Sequence, residues 1–199
     1  MRNLFLLFSL TLLVSCKSDN SNNFLENHDH SKHINHKIRN KKAIEFYNKG
    51  VKLLKQQDLD SAKVYFYKSL KQEKNSIVLN ELGTMALSKN NYQEALNYFN
   101  DGIKQEFEYW PSHINKSRTF ILSSHFESAE QTLKSMLLKC ESDYWKAYAN
   151  LHLTYIYTNG ILNCKKAKES ANKAVFIKND IELKNQYESI IKEKVKYCD

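Results

Sequence analysis

The chain has 199 residues, only four of them glycine and one proline, and carries a formal net charge of +8 with a pI near 9.1. So few turn-formers exclude a sandwich or barrel of many short strands and favour helices joined by short Asn, Asp and Ser connections. The positive balance suits an anionic surface or an acidic partner. The charges are nevertheless mixed along solvated faces, and no arginine cluster or RNA-binding signature points to nucleic acid.

Residues 1–16 read MRNLFLLFSLTLLVSC. Arg2 gives a positive start, and Leu4 to Val14 form an apolar run of eleven residues. A membrane span needs about 20. The run instead fits the core of a secretory signal, with Ser15 and Cys16 as small residues at the cleavage point. Leu13-Val14-Ser15-Cys16 resembles the bacterial lipobox. That resemblance implies a lipoprotein signal peptide over 1–15 and lipidation (palmitate and related acyl chains) at Cys16. It places the protein in the cell envelope, on the periplasmic or surface-exposed face of the outer membrane. Lys17 and the polar residues after it are similar to the export tether of surface lipoproteins in some Gram-negative bacteria. Each buried CH₂ of an acyl chain contributes about 0.8 kcal/mol, so several chains on one cysteine anchor firmly.

Residues 16–40 are polar and lack a sustained apolar period, as expected of a flexible tether. Within it, HDHSKHINH puts His28, His30, His33 and His36 in nine residues. Imidazoles at these spacings can converge on a divalent metal. Ordering a mobile segment weakens such binding, so weak metal capture is an alternative role for a tether that is otherwise only polar.

From residue 43 the chain repeats itself. Gly50 and Gly83, Ala62 and Ala95, and Phe66 and Phe99 are each 33 apart. A third copy follows at 34 (Ser117, Ala129, Leu133), and a fourth runs from Tyr148 through Ala167, Ala171 and Ala174 with a longer internal loop, TNGILN. Within each copy the apolar residues keep a helical period. Ser124-His-Phe-Glu127 has the form of a capping box and Asn91-Tyr-Gln-Glu94 a variant of it. Pro111 suits a first helical turn. The pattern predicts helices over 41–56, 59–72, 76–89, 92–105, 111–123, 126–139, 143–158, 163–177 and 180–197. In the last, Ile181, Tyr187, Ile190 and Ile191 face inward and charged residues face out.

The period, the small residues at Gly50, Gly83, Ala62 and Ala95, and the flanking aromatics resemble the tetratricopeptide repeat (TPR). The resemblance covers about 43–176, is clearest in the first two copies, and lacks the usual proline near each repeat's end. The last copy is faintly similar to the Sel1-like variant. The resemblance implies an all-α, right-handed superhelical TPR-like solenoid of about four helix pairs plus a C-terminal capping helix, in a domain spanning 41–199. It also implies a concave groove lined by first-helix residues: Tyr47, Asn48, Val51, Lys55, Asn80, Glu81, Thr84, Asn115, Arg118 and Asn150. Asn48, Glu81, Asn115 and Asn150 fall at the position where such arrays carry an asparagine that holds a peptide backbone. The groove departs from the carboxylate-clamp type, which wants more lysines and arginines.

The helix order speaks to the thiols. Cys164 opens the eighth helix and Cys198 ends the ninth, so antiparallel packing brings them together as a disulfide. Cys140 closes the sixth helix at the opposite end of the layer, about 20 Å away, beyond the ~7 Å Cα limit for a bridge.

No G-x-S-x-G, P-loop, H-E-x-x-H or C-x-x-C motif occurs, and carboxylates alternate with lysines on helix faces. The expectation is therefore a non-enzymatic, lipid-anchored adaptor without cofactor, binding a protein or peptide partner in envelope-complex assembly. Metal capture by the tether and an accessory role to an envelope enzyme are the alternatives.

Overall fold

A computed structural model of the chain describes residues 37–175, 184–190, 195, 196 and 198. Among them lie α1 (Lys41–Lys55), α2 (Leu59–Gln72), α3 (Ser76–Ser88), α4 (Tyr92–Gln105), α5 (Trp110–Leu122), α6 (Phe126–Leu137), α7 (Asp143–Asn159), α8 (Cys164–Lys173) and α9 (Lys184–Ser189). All described secondary structure is helical. From α1 to α7, each odd-numbered helix packs antiparallel on the even one that follows, and successive pairs stack in chain order. The expected start of α8 shifts by one residue and its end falls four residues early. The expected ninth helix is described only over Lys184–Ser189; Ile181 and Ile191, expected to face inward, lie outside the described residues. Ile190 is buried against the last pair, with Tyr187 and Cys198 packed beside it.

The glycines explain how closely the helices approach. A Cβ on Gly50 would come within 2.7 Å of the Phe66 ring. Gly83 meets Phe99 in the same way one repeat later. Phe66 and Phe99 are fully buried, as are Ala62 and Ala95. These contacts sit inside helices, where glycine costs roughly 0.5–1 kcal/mol against alanine. The ring burial they allow outweighs that cost, since a buried phenylalanine contributes about 1.5–3 kcal/mol.

No glycine takes a positive φ. The turns between paired helices instead place Gln57 (φ 63°), Asn90 (φ 59°) and Ser124 (φ 61°) in the left-handed region. In each, the next N–H bonds a carbonyl five residues back: Asp58 to Leu53, Asn91 to Ala86 and His125 to Phe120. This geometry corrects the capping-box expectation at Ser124. Because Ser124 forms the turn, His125 becomes the N-cap of α6 and makes no side-chain cap. Asn91 is the N-cap of α4, likewise without a side-chain cap. Capping oxygens occur where the chain enters other helices: Asn40, Asp58, Asn75, Ser142 and Asn163 each accept a backbone N–H of the first turn, worth about 1 kcal/mol apiece.

Polar contacts lock repeat to repeat. Lys63 on α2 pairs with Glu94 on α4 at 2.8 Å, and Tyr67 bonds Tyr98 beside it. Glu130 on α6 accepts from Tyr157 on α7 at 2.6 Å, from Lys166 on α8 at 3.3 Å and from Lys134 on its own helix at 2.6 Å. Burial alone would push the Glu130 carboxyl up; those three bonds outweigh it and hold it at about 2.

Candidate functional site

The first helices of successive repeats, α3, α5 and α7, touch one another directly and form one inner layer, with α4, α6 and α8 behind. The residues assigned to the groove lie on this layer and on α1, but the structure exposes them unequally. Asn48 and Lys55 are exposed on α1, and Tyr47 and Val51 are half-buried. Thr84 is half-buried and donates to the Glu81 carbonyl at 2.8 Å. Arg118 is half-buried on α5.

Two of the expected peptide-holding residues hold each other. Asn115 Nδ2 donates to Asn80 Oδ1 at 3.0 Å, and both are 6% exposed. The bond ties α3 to α5 and fixes the register of the inner layer. Asn150 Nδ2 donates to the Lys146 carbonyl at 2.7 Å. Asn150 also lines a cleft of about 440 Å³ with Leu137, Asp143, Lys146 and Lys173.

Glu81 stands where the neighbouring repeats carry asparagine. Burial pushes its carboxyl up to about 7. Tyr109, the N-cap of α5, is buried against this region; burial first, then the charges of Glu81, Tyr47 and Glu106, push its phenol up. Sequence reading did not single out Tyr109. Its only signal was its place just before Trp110-Pro111, an aromatic at a helix start.

The histidines of the repeats serve packing and turns. His113 Nε2 lies 2.8 Å from the Phe107 carbonyl and its ring meets Phe107 edge-on at 4.8 Å. Burial lowers its pKa to about 4. His125 Nδ1 is 3.1 Å from Ser123 Oγ. His152 is buried, edge-on to Tyr148 at 4.9 Å. Among the described residues no three metal-ligating side chains come together. Cys16 and the tether histidines His28, His30, His33 and His36 lie outside the described residues.

Cys164 and Cys198 are joined as a disulfide with their Cα atoms 5.1 Å apart, tying the start of α8 to the segment after α9. Cys140 is a buried thiol whose pKa burial raises.

Stacked antiparallel pairs, a small-residue approach in each and an inner layer of first helices make this an all-α, TPR-like helical-repeat solenoid. Solved structures share that architecture. MamA, from residue 41 to its end, of Desulfovibrio magneticus RS-1 superposes with a TM-score of 0.59 at 18% identity, covering 81% of this chain and 91% of that one. The ArsTM double mutant of MamA RS-1 gives 0.58 at 18% identity, with 80% and 97% covered. At this identity the likeness is one of fold. No family model matches the chain, and no curated protein matches it.

Proposed function

We propose that this chain is a non-enzymatic adaptor that holds a protein or peptide partner against its inner layer, tethered to the bacterial envelope through Cys16. The observation that carries the reading is the continuous surface of first helices, with the open cleft beside Asn150, Lys146 and Asp143 at its C-terminal end. A repeat array offers such a surface because each pair buries one face against its neighbours and leaves the first-helix face over. Asn48, Lys55 and Lys146 supply donors along it that suit an extended backbone and acidic side chains. Asn80 and Asn115 act beneath it, setting the layer rather than touching the partner.

The anchor rests on the Leu13-Val14-Ser15-Cys16 motif and the abrupt polar switch after it. Intact mass of the mature chain checks it: an acylated N-terminus at Cys16 is expected, and any other N-terminus removes the anchor.

Photo-crosslinking in native envelopes tests the groove. Crosslinkers at Asn48, Thr84 and Lys146 are expected to capture the same partner, whereas Gln93 and Gln131, exposed on second helices, capture none. Equal capture from both sets overturns groove binding without affecting the anchor.

A further inference from the structure

The chain's positive charge is concentrated at one end of the solenoid. Residues 37–75 hold eleven lysines and arginines against four acids, which leaves +7 of the chain's +8 on the first helix pair and the residues flanking it. Three of those acids are engaged. Glu73 accepts the Arg39 and Asn40 N–H groups, Asp58 caps α2, and Asp60 lies 3.7 Å from Lys89.

The repeat shows which face is open. In the second pair, Val78, Leu82, Met85 and Tyr98 press onto the first pair. The residues one period earlier are Glu45, Lys49, Lys52 and Tyr65, and no preceding pair covers them among the described residues. Phe46 and Tyr65 lie there half-buried with ring centroids 6.2 Å apart. Lys49 Nζ and Lys68 Nζ stand 4.5 and 4.6 Å from the Tyr65 centroid. The edge is thus an aromatic pair with two exposed lysines whose ammonium groups stand over the Tyr65 ring.

We propose that this edge docks flat on an anionic lipid surface, the α1–α2 pair lying against the headgroups. Lysines with apolar stems beside half-exposed aromatic rings suit a bilayer interface, where stems and rings enter the headgroup layer and charges meet phosphates. Base and phosphate recognition in nucleic acid favours arginine forks instead, and this edge holds none. The proposal does not depend on the anchored reading. Each lysine near an anionic bilayer strengthens association roughly fivefold.

Amine acetylation of the full chain, read by mass spectrometry, tests it. The chain is mixed with vesicles of phosphatidylcholine alone or of equimolar phosphatidylcholine and phosphatidylglycerol. Labelling of Lys49, Lys52 and Lys68 should fall severalfold on the anionic vesicles only, while Lys134 and Lys139 stay unchanged. Labelling should return at about 1 M salt, where the Debye length is about 3 Å. A triple Lys49→Gln, Lys52→Gln, Lys68→Gln variant should lose sedimentation with anionic vesicles while keeping its helical circular dichroism. Equal labelling on both vesicle types overturns the proposal. So does equal protection by a DNA duplex, or protection spread evenly over all lysines. Intact mass reports Cys16 acylation separately, so an unmodified Cys16 with a protected edge removes the anchor alone.

Discussion

Gly83 lies against the face of Phe99 so closely that a methyl group there would stand 2.7 Å from the ring's Cδ1. Its counterparts trade size across the same crossing. The first-helix residue grows along the chain from Gly50 and Gly83 to Ser117 and His152. The second-helix residue shrinks from Phe66 and Phe99 to Leu133 and Ala171. All eight are buried. Gly83→Ala should therefore destabilise by about 1–2 kcal/mol, overpacking outweighing the gain in helix propensity. Adding Phe99→Leu, the combination nearest to Ser117 with Leu133, should cost less than the sum of the single changes. A double-mutant cycle on urea midpoints checks this.

Gln57 holds a positive φ without the excuse of a missing Cβ. Gln57→Gly should stabilise by about 0.5–1 kcal/mol, relief of left-handed strain exceeding the added unfolded-state entropy. Asn90→Gly should gain less, since asparagine tolerates that region. Thermal melts of the two variants should rank in that order.

Glu81 and His113 tilt the pH profile in opposite directions. The folded chain holds a proton on Glu81 up to about pH 7, whereas the unfolded chain releases it near 4.5. Stability from this group therefore falls as pH rises through that window and is level above it. His113, lowered to about 4 by burial, takes up a proton near 6.5 only when unfolded, so its contribution is lost as pH falls below 6.5. Glu81→Gln should raise stability at pH 8 by about 1–3 kcal/mol. It should also uncover a steady decline below pH 6.5 that the wild type partly cancels. Urea midpoints from pH 4 to 8, with unchanged m, measure both effects.

The Cys164–Cys198 bridge spans a sequence separation of 34 residues. Closing a loop of that size stabilises by about 3–4 kcal/mol, so Cys198→Ser should lower stability by about that much and loosen the cap around Ile190. Non-reducing peptide mapping should link the two cysteine peptides. Cys140 should resist alkylation in the folded chain, because its thiol is buried and its pKa raised.

The repeat and its helices were legible because they are local. A 33–35 residue period, glycine or alanine at fixed offsets and apolar residues at helical spacing can be counted along the chain, and they fixed helix order, antiparallel pairing and which thiols could meet. The groove was legible only as a set of positions. That Asn80 and Asn115 would bond each other, that Tyr109 would be buried beside Glu81, and that Glu130 would gather Tyr157 and Lys166 follow from distances between side chains some 27–36 residues apart. Such distances depend on how each pair rotates on the next. The turn at Ser124 is the local exception: the five-residue hydrogen bond from His125 to Phe120 overrode the capping signal. Periodicity thus determined the stack, because burying one face of every helix pair admits little else. Which polar groups pair within the stack and which stay exposed on the inner layer was decided only when neighbouring repeats closed on one another.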